Sequence, residues 1–148
     1  MGLVDELQGQ RVFIDTAPFI YYIEKHKKYI NIVKPVFQAI DTGEMDAITS
    51  TITLLEVLVH PLRTGNEELA NQYREILLDA AGLTTYEVSH EISEKAAKLR
   101  AKYSIKTPDA IQVSIDILYG AEMMLTNDTH LQGVSDIKVL ILDDYLIN

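Results

Sequence analysis

The sequence predicts an α/β fold of three layers, α/β/α, with helices on both faces of a central, mostly parallel sheet. Short apolar runs rich in β-branched and aromatic residues alternate with helical patterns almost from end to end. Strands separated by helical segments pair in parallel through right-handed crossovers, because a tight hairpin cannot join them. The chain has 148 residues, 47% hydrophobic and 24% charged, with only 4 Pro and 7 Gly. That fits a single domain spanning residues 1–148, with a core large enough to fold without staples. No internal repeat, low-complexity tract or linker interrupts it.

The elements follow in order. Residues 11 to 15 form a short strand, and Pro18 lies early in a helix carrying Phe19, Ile20 and Ile23. A second helical pattern with Ile32, Val36, Phe37 and Ile40 on its apolar face stops near Gly43, and Pro35 must lie in its first turn or kink it. Asp46 to Thr49 is a brief strand. Ser50 or Thr51 then caps a helix with Leu55, Leu58 and Val59 at i, i+3 and i+4, and Pro61 is expected to end it. Beyond the turn at Gly65-Asn66, residues Leu69, Tyr73, Ile76, Leu77 and Ala80 mark a helix closing at Gly82, and Leu83 to Val88 is the next strand.

Ser89 caps a helix whose stripe is Ile92, Ala96, Leu99 and Tyr103. Thr107 as cap and Pro108 as first helical residue open another, with the stripe Ile111, Ser114, Ile115 and Leu118. Two apolar runs, Met123 to Leu125 and Val139 to Leu142, finish the pattern as strands.

Composition narrows the function. The absence of cysteine excludes a disulfide framework and a thiolate zinc site, and the cytosol is the expected compartment. The N-terminus lacks a basic segment leading into an apolar run, and no apolar stretch approaches membrane-spanning length, so no membrane association is expected. A net charge of −9 argues against indiscriminate adsorption to nucleic acid. A local basic strip nevertheless exists: Lys95, Lys98, Arg100, Lys102 and Lys106 lead straight to Asp109. Cations towards a helix C-terminus are also favoured by the helix dipole alone.

Four of the 22 acidic residues stand apart, because they interrupt segments expected to be buried. Asp15 ends Val-Phe-Ile-Asp, Glu56 lies in Thr-Leu-Leu-Glu-Val-Leu, Asp109 follows Thr-Pro, and Asp128 closes Leu-Thr-Asn-Asp. A carboxylate in such a place needs a partner or a cation to offset its desolvation. Asp15 and Asp128 sit at predicted strand ends, and Glu56 and Asp109 in the N-terminal parts of helices. In a doubly wound sheet these positions share the carboxyl edge, where sites form. The four can therefore converge although 41, 53 and 19 positions separate them in sequence. Asp15 and Asp128 also suit helix caps, and Asp109 suits a helix dipole. Glu56 is harder to account for without a ligand, unless it points to solvent.

These segments resemble the PIN-domain ribonucleases, and among them the VapC-like toxins of prokaryotic toxin-antitoxin pairs. The likeness lies in Val12-Phe13-Ile14-Asp15-Thr16, in Thr53-Leu54-Leu55-Glu56-Val57, in Thr107-Pro108-Asp109-Ala110-Ile111-Gln112 and in Leu125-Thr126-Asn127-Asp128-Thr129-His130-Leu131. All four occur in family order, from about Arg11 to Leu142. His130 and Leu131 depart from the family, which often has a further acid and an aromatic there.

The resemblance implies a PIN-like fold and a metal-dependent endoribonuclease, with Asp15, Glu56, Asp109 and Asp128 as catalytic residues and ligands of Mg²⁺ or Mn²⁺. It also implies an RNA substrate, an antitoxin protein as partner, and a homodimer, for which Tyr21 and Tyr22 offer aromatic surface. Hard divalent cations prefer oxygen ligands, and Mg²⁺ is commonly held by a few carboxylates together with a substrate phosphate. One or two ions fit the residues. Thr16 and Thr126 suit phosphate contacts or support of the acids, and Lys98, Lys102 and Lys106 suit the RNA backbone. His130 stands near the fourth acid, and the four histidines show no zinc spacing. Asp116, Asp136, Asp143 and Asp144 read as surface charge.

Other classes fit less well. Asp15-Thr16-Ala17 lacks the second acid of a haloacid-dehalogenase-type phosphatase, Asp15 and Lys138 are only fragments of a receiver domain, and no Gly-rich phosphate loop occurs. The alternative of a different kind is a catalytically weak PIN-like domain that acts mainly by binding a partner protein.

Overall fold

A computed structural model describes residues 2–146. Five strands, β1 (Arg11–Ile14), β2 (Asp46–Ser50), β3 (Leu83–Tyr86), β4 (Met123–Thr126) and β5 (Val139–Ile141), form one wholly parallel sheet in the order β3-β2-β1-β4-β5. Seven α-helices cover it: α1 (Leu3–Leu7), α2 (Thr16–Ile23), α3 (Ile30–Asp41), α4 (Thr51–Arg63), α5 (Glu67–Leu78), α6 (His90–Lys102) and α7 (Thr107–Leu118).

The two-residue period of the strands sorts their side chains into two cores. Val12 and Ile14 of β1, Ala47 of β2, and Met123 and Leu125 of β4 face a core shared with Phe19, Val36, Val57 and Tyr73 from α2, α3, α4 and α5. Their neighbours Phe13, Ile48 and Met124 face the other core, shared with Ile92 and Leu99 of α6 and Val113 and Ile115 of α7. The expected three layers follow from this alternation.

From β1 the chain steps outward to β2 and β3, then returns to the opposite side of β1 as β4 and β5. The crevice at that reversal opens between the carboxyl ends of β1 and β4, where ligands bind in open α/β sheets. Asp15 follows β1 directly, and Asp128 lies two residues beyond β4.

Several sequence expectations need correction. Helix α4 does not stop at Pro61 but runs to Arg63, since Pro61 is itself buried and the backbone N–H of Asn66 donates to its carbonyl at 2.8 Å. Its buried positions are Thr53, Val57 and Pro61, so the expected stripe is rotated: Leu55 is 60% and Val59 41% exposed. Pro35 lies inside α3 beyond its first turn. Helix α5 ends at Leu78; Gly82 instead serves a close approach at φ +83°, where a Cβ would stand 2.5 Å from the Ile40 carbonyl oxygen. Strand β3 ends at Tyr86, short of Val88, and Lys106 rather than Thr107 is the N-cap of α7.

Asp116 is not surface charge. It is 2% exposed, its Oδ2 has no hydrogen-bond partner among the described residues, and burial pushes its carboxyl up to about 7. Of the aromatics noted for a dimer, Tyr21 stacks on Tyr29 and Tyr22 on Phe37 within this chain, at centroid distances of 4.1 and 4.3 Å, and both remain partly exposed. Both rings pack against this chain's own core. Among the described residues no helix is long and apolar enough to cross a membrane.

Candidate metal centre at the carboxyl edge

Each acid reaches the crevice by a different local route. Strand β1 is buried through Val12, Phe13 and Ile14, and the Asp15 N–H donates to the Leu125 carbonyl at 3.0 Å, so the sheet ladder itself fixes the backbone that carries this carboxylate. Asp15 occupies the N-cap of α2, yet its side chain caps nothing. Instead Oδ2 accepts from the Thr126 hydroxyl at 2.7 Å and Oδ1 from Gln112 Nε2 at 3.3 Å. The cap explanation therefore does not account for Asp15.

It does account for part of Asp128, whose Oδ1 accepts from the His130 N–H at 2.9 Å and lies 3.0 Å from His130 Nδ1. The Thr126 hydroxyl also accepts from the Asp128 N–H at 3.1 Å, so one buried hydroxyl links the first and fourth acids. Thr126 is 1% exposed and supports carboxylates, one of the two roles expected of it from the sequence. Thr16 acts similarly on the second acid, donating to Glu56 Oε1 at 2.7 Å. Glu56 itself is exposed, not buried within an apolar helix as its sequence neighbours suggested.

Asp109, in the first turn of α7, is half-buried. Its carboxyl is raised above the ordinary Asp value by burial first, then by the negative charges of Asp128, Asp15 and Glu56, while Lys106 opposes the shift. All three other acids thus act on this one group, so the four share one region of the edge. Among the described residues, however, no three acidic or histidine side chains stand close enough to form a closed ligand group.

Chemically the donor set fits a hard divalent cation. It offers only carboxylate and hydroxyl oxygens, and Asp15, Glu56 and Asp109 form no ion pair with any described basic side chain.

Sequence reasoning assigned no role to Gln112. It is 2% exposed, donates to Thr53 Oγ1 at 2.8 Å as well as to Asp15, and accepts from the Ser50 hydroxyl through Oε1. Thr49 extends this buried network: its hydroxyl donates to the Ile14 carbonyl at 2.7 Å and so accepts from the Thr53 hydroxyl, 2.9 Å away. The signal was present: Gln112 lies three residues after Asp109, on the same side of α7, as a polar residue in an otherwise apolar helix.

Of the expected RNA contacts, Lys98, Lys102 and Lys106 are exposed. Lys95, Lys98 and Lys102 share one face of α6 by their spacing. Lys102 pairs with Asp136 at 3.3 Å, and Arg100 is engaged by the Ile105 carbonyl and the Thr107 hydroxyl, tying the end of α6 to the start of α7.

The sequence pattern of the PIN domain matches residues 12–137. The chain belongs to the PIN-domain family. The match runs from β1 past the segment that carries Asp128, so it includes all four acids. No curated protein sequence matches this PIN-domain chain. Solved structures do resemble it. VapBC2 from Rickettsia felis, bound to a DNA fragment from its promoter, has a TM-score of 0.69 at 17% identity, covering 88% of this chain and 98% of that one. A toxin-antitoxin complex from Klebsiella pneumoniae gives 0.66 at 23% identity, covering 92% and 99%. VapC20 from Mycobacterium tuberculosis, a sarcin-ricin loop cleaving toxin, gives 0.66 at 15% identity, covering 86% and 98%. The PIN-domain chain thus shares its fold with VapC toxins.

Proposed function

We propose that this PIN-domain protein is a Mg²⁺- or Mn²⁺-dependent endoribonuclease that cleaves RNA phosphodiester bonds as the toxin of a toxin-antitoxin pair. The observation that carries the reading is the placement of Asp15, Glu56, Asp109 and Asp128 towards the carboxyl edge of the sheet, where the Asp109 carboxyl is raised first by burial and then by the negative charges of the other three. A shared cation relieves that repulsion, and RNA presents the phosphate that completes such a site. The solved complexes of similar fold add weight to an antitoxin partner, and VapC20 to RNA as substrate.

Asp15, Glu56, Asp109 and Asp128 would hold the metal, which when bound activates water and neutralises charge on the scissile phosphate. The chain's own residues set the geometry. Thr126 and Gln112 fix both oxygens of Asp15, Thr16 holds Glu56, and the buried hydroxyl of Thr126 ties the Asp128 backbone to Asp15. Lys106 beside Asp109 draws the phosphate towards the acids, and Lys98 and Lys102 extend that positive surface along α6.

Cleavage of RNA in Mg²⁺ or Mn²⁺, its loss in EDTA, and its loss in Asp15→Asn and Asp128→Asn with folding intact are the expected results. Structured and single-stranded RNAs are both used as substrates. Cleavage that persists in EDTA, or that survives both substitutions, overturns the assignment.

One observation favours the partner-binding reading beside it. On α4, Leu55, Val59 and Leu62 are exposed at i, i+4 and i+7, next to Glu56. A protein partner seated on that stripe would cover apolar surface and the second acid together. Co-purification with the product of an adjoining small gene, lost in Leu55→Glu, is the expected result. The homodimer enters the proposal on the family resemblance alone.

A further inference from the structure

The bridge between α2 and α3, residues 24–29, reads Glu-Lys-His-Lys-Lys-Tyr; in a chain of net charge −9 it places three lysines in four consecutive positions. Lys25, His26, Lys27 and Lys28 are all exposed, and none of the three amines forms an ion pair with a described carboxylate. By contrast, Arg100 and Lys102 of the α6 strip are already engaged within the protein.

This bridge is docked against the crevice. The His26 ring packs on Tyr21 and Tyr29 at centroid distances of 5.1 and 5.0 Å, and the Lys28 amine lies 5.4 Å from the Tyr29 centroid. Asn127 Nδ2 donates to the hydroxyls of Tyr21 and Tyr29 at 3.3 and 3.1 Å, and the Tyr29 hydroxyl donates to Asp143 at 2.5 Å. Asn127 stands between Thr126 and Asp128 in the chain. The basic bridge is therefore held on the turn that carries the fourth acid. It belongs to the layer of α2 and α3, whereas Lys106 belongs to the layer of α6 and α7. The Lys28 charge reaches Asp143, whose carboxyl is lowered mainly by its bond from Tyr29 and in part by that amine.

Lys25 adds an independent sign. It has φ +52° at the end of α2, where its N–H donates to the Tyr22 carbonyl and that of His26 to the Tyr21 carbonyl. Helix ends of this form favour glycine, so a lysine here carries a conformational cost that glycine would remove. Such outliers cluster at functional sites.

We infer that the Lys25–Lys28 bridge is a second phosphate-binding subsite, which grips the RNA backbone on the far side of the four carboxylates from Lys106. The inference rests on the ribonuclease reading and deepens it: a strand crossing the crevice is held by cations from both outer layers, with the bond to be cut over the acids between them.

The test is binding of a short, labelled single-stranded RNA in EDTA, followed by anisotropy as salt is varied. For the triple variant Lys25→Ala, Lys27→Ala, Lys28→Ala, Kd should weaken about tenfold at low salt and the salt slope should flatten by about 2, from roughly 0.7 per single-strand phosphate contact. Lys25→Gly alone should weaken binding while raising the thermal unfolding midpoint, a combination that misfolding cannot produce. Unchanged affinity and slope in the triple variant overturn the subsite. So does intact RNA binding with loss of a co-purified protein partner, which would make the bridge a protein-docking surface. Failure of the ribonuclease reading shows separately, as unsubstituted protein that cleaves neither RNA class in Mg²⁺ or Mn²⁺.

Discussion

Replacing Asp116 with asparagine tests how this fold tolerates a buried acid. Asp116 is 2% exposed in α7 with an unpartnered Oδ2, and burial moves its carboxyl from 3.8 to about 7. The folded state therefore favours the protonated form. Below the unfolded value of 3.8 both states are protonated and the group exerts no pH-dependent penalty. As pH rises towards 7 the unfolded chain ionises while the folded chain resists, so stability falls, and above about 7 the loss levels off. A shift of about 3 units at roughly 1.36 kcal/mol each gives a loss of about 4 kcal/mol across that window.

Asparagine removes the ionisation but leaves a buried amide, which costs about 1–3 kcal/mol if its bonds are unmet. The variant should thus be the less stable protein near pH 4 and the more stable one, by about 1–3 kcal/mol, near pH 8. Urea unfolding of both proteins at intervals between pH 4 and 8 measures this directly. Curves that stay parallel across the range would refute the reasoning, because the carboxyl would then ionise alike in both states.

Other expectations concern the crevice and the assembly. Gln112→Ala removes one bond each from Ser50, Thr53 and Asp15 in a buried network; it should cost about 1–3 kcal/mol in denaturant unfolding and lower cleavage. Mn²⁺ at about 100 times its Kd should stabilise the unsubstituted protein by about 2.7 kcal/mol, and Asp109→Asn should be stabilised less, as read by calorimetry and thermal unfolding. Equal Mn²⁺ binding by the two proteins would count against the site. Sedimentation at micromolar concentration should give the mass of a dimer; a monomer throughout removes the homodimer.

Much of the fold was legible because it depends on periodicity. The runs at β1, β2, β4 and β5, the caps at Ser50 and Ser89, and the apolar stripe of α6 read directly from local chemistry, and both serines do accept the expected backbone bonds from Ile52 and Ile92. The placement of the acids towards the carboxyl edge was also legible, since it needs only parallel topology, although among the described residues they do not close into a ligand group. What failed were features set by tertiary packing. Helix α4 is apolar on more than one side, so its sequence did not say which side faces the sheet, and Glu56 appeared more buried than it is. Packing of Pro61 carried the helix past a residue that ordinarily stops one. Asp116 looked like surface charge because nothing local marks a buried, unpartnered acid. Gln112 and Thr126 were hard to assign because their meaning lies in partners some 60 to 110 residues away.

The hydroxyl of Thr126 bonds to Asp15 across 111 positions of chain, through the parallel pairing of β1 with β4. Contacts between such distant segments form only after the intervening chain has closed into a loop, which makes them slow and places them late in folding. During synthesis β1, β2 and β3 can pair while β4 is still unmade, but the crevice then has one wall. Three of the acids are present without the strand that brings the fourth and without the hydroxyl that orients the first. On the proposed reading a nascent chain of this protein lacks its fourth ligand until Asp128 has emerged, and the order of the sequence would delay the proposed activity until the sheet is nearly complete.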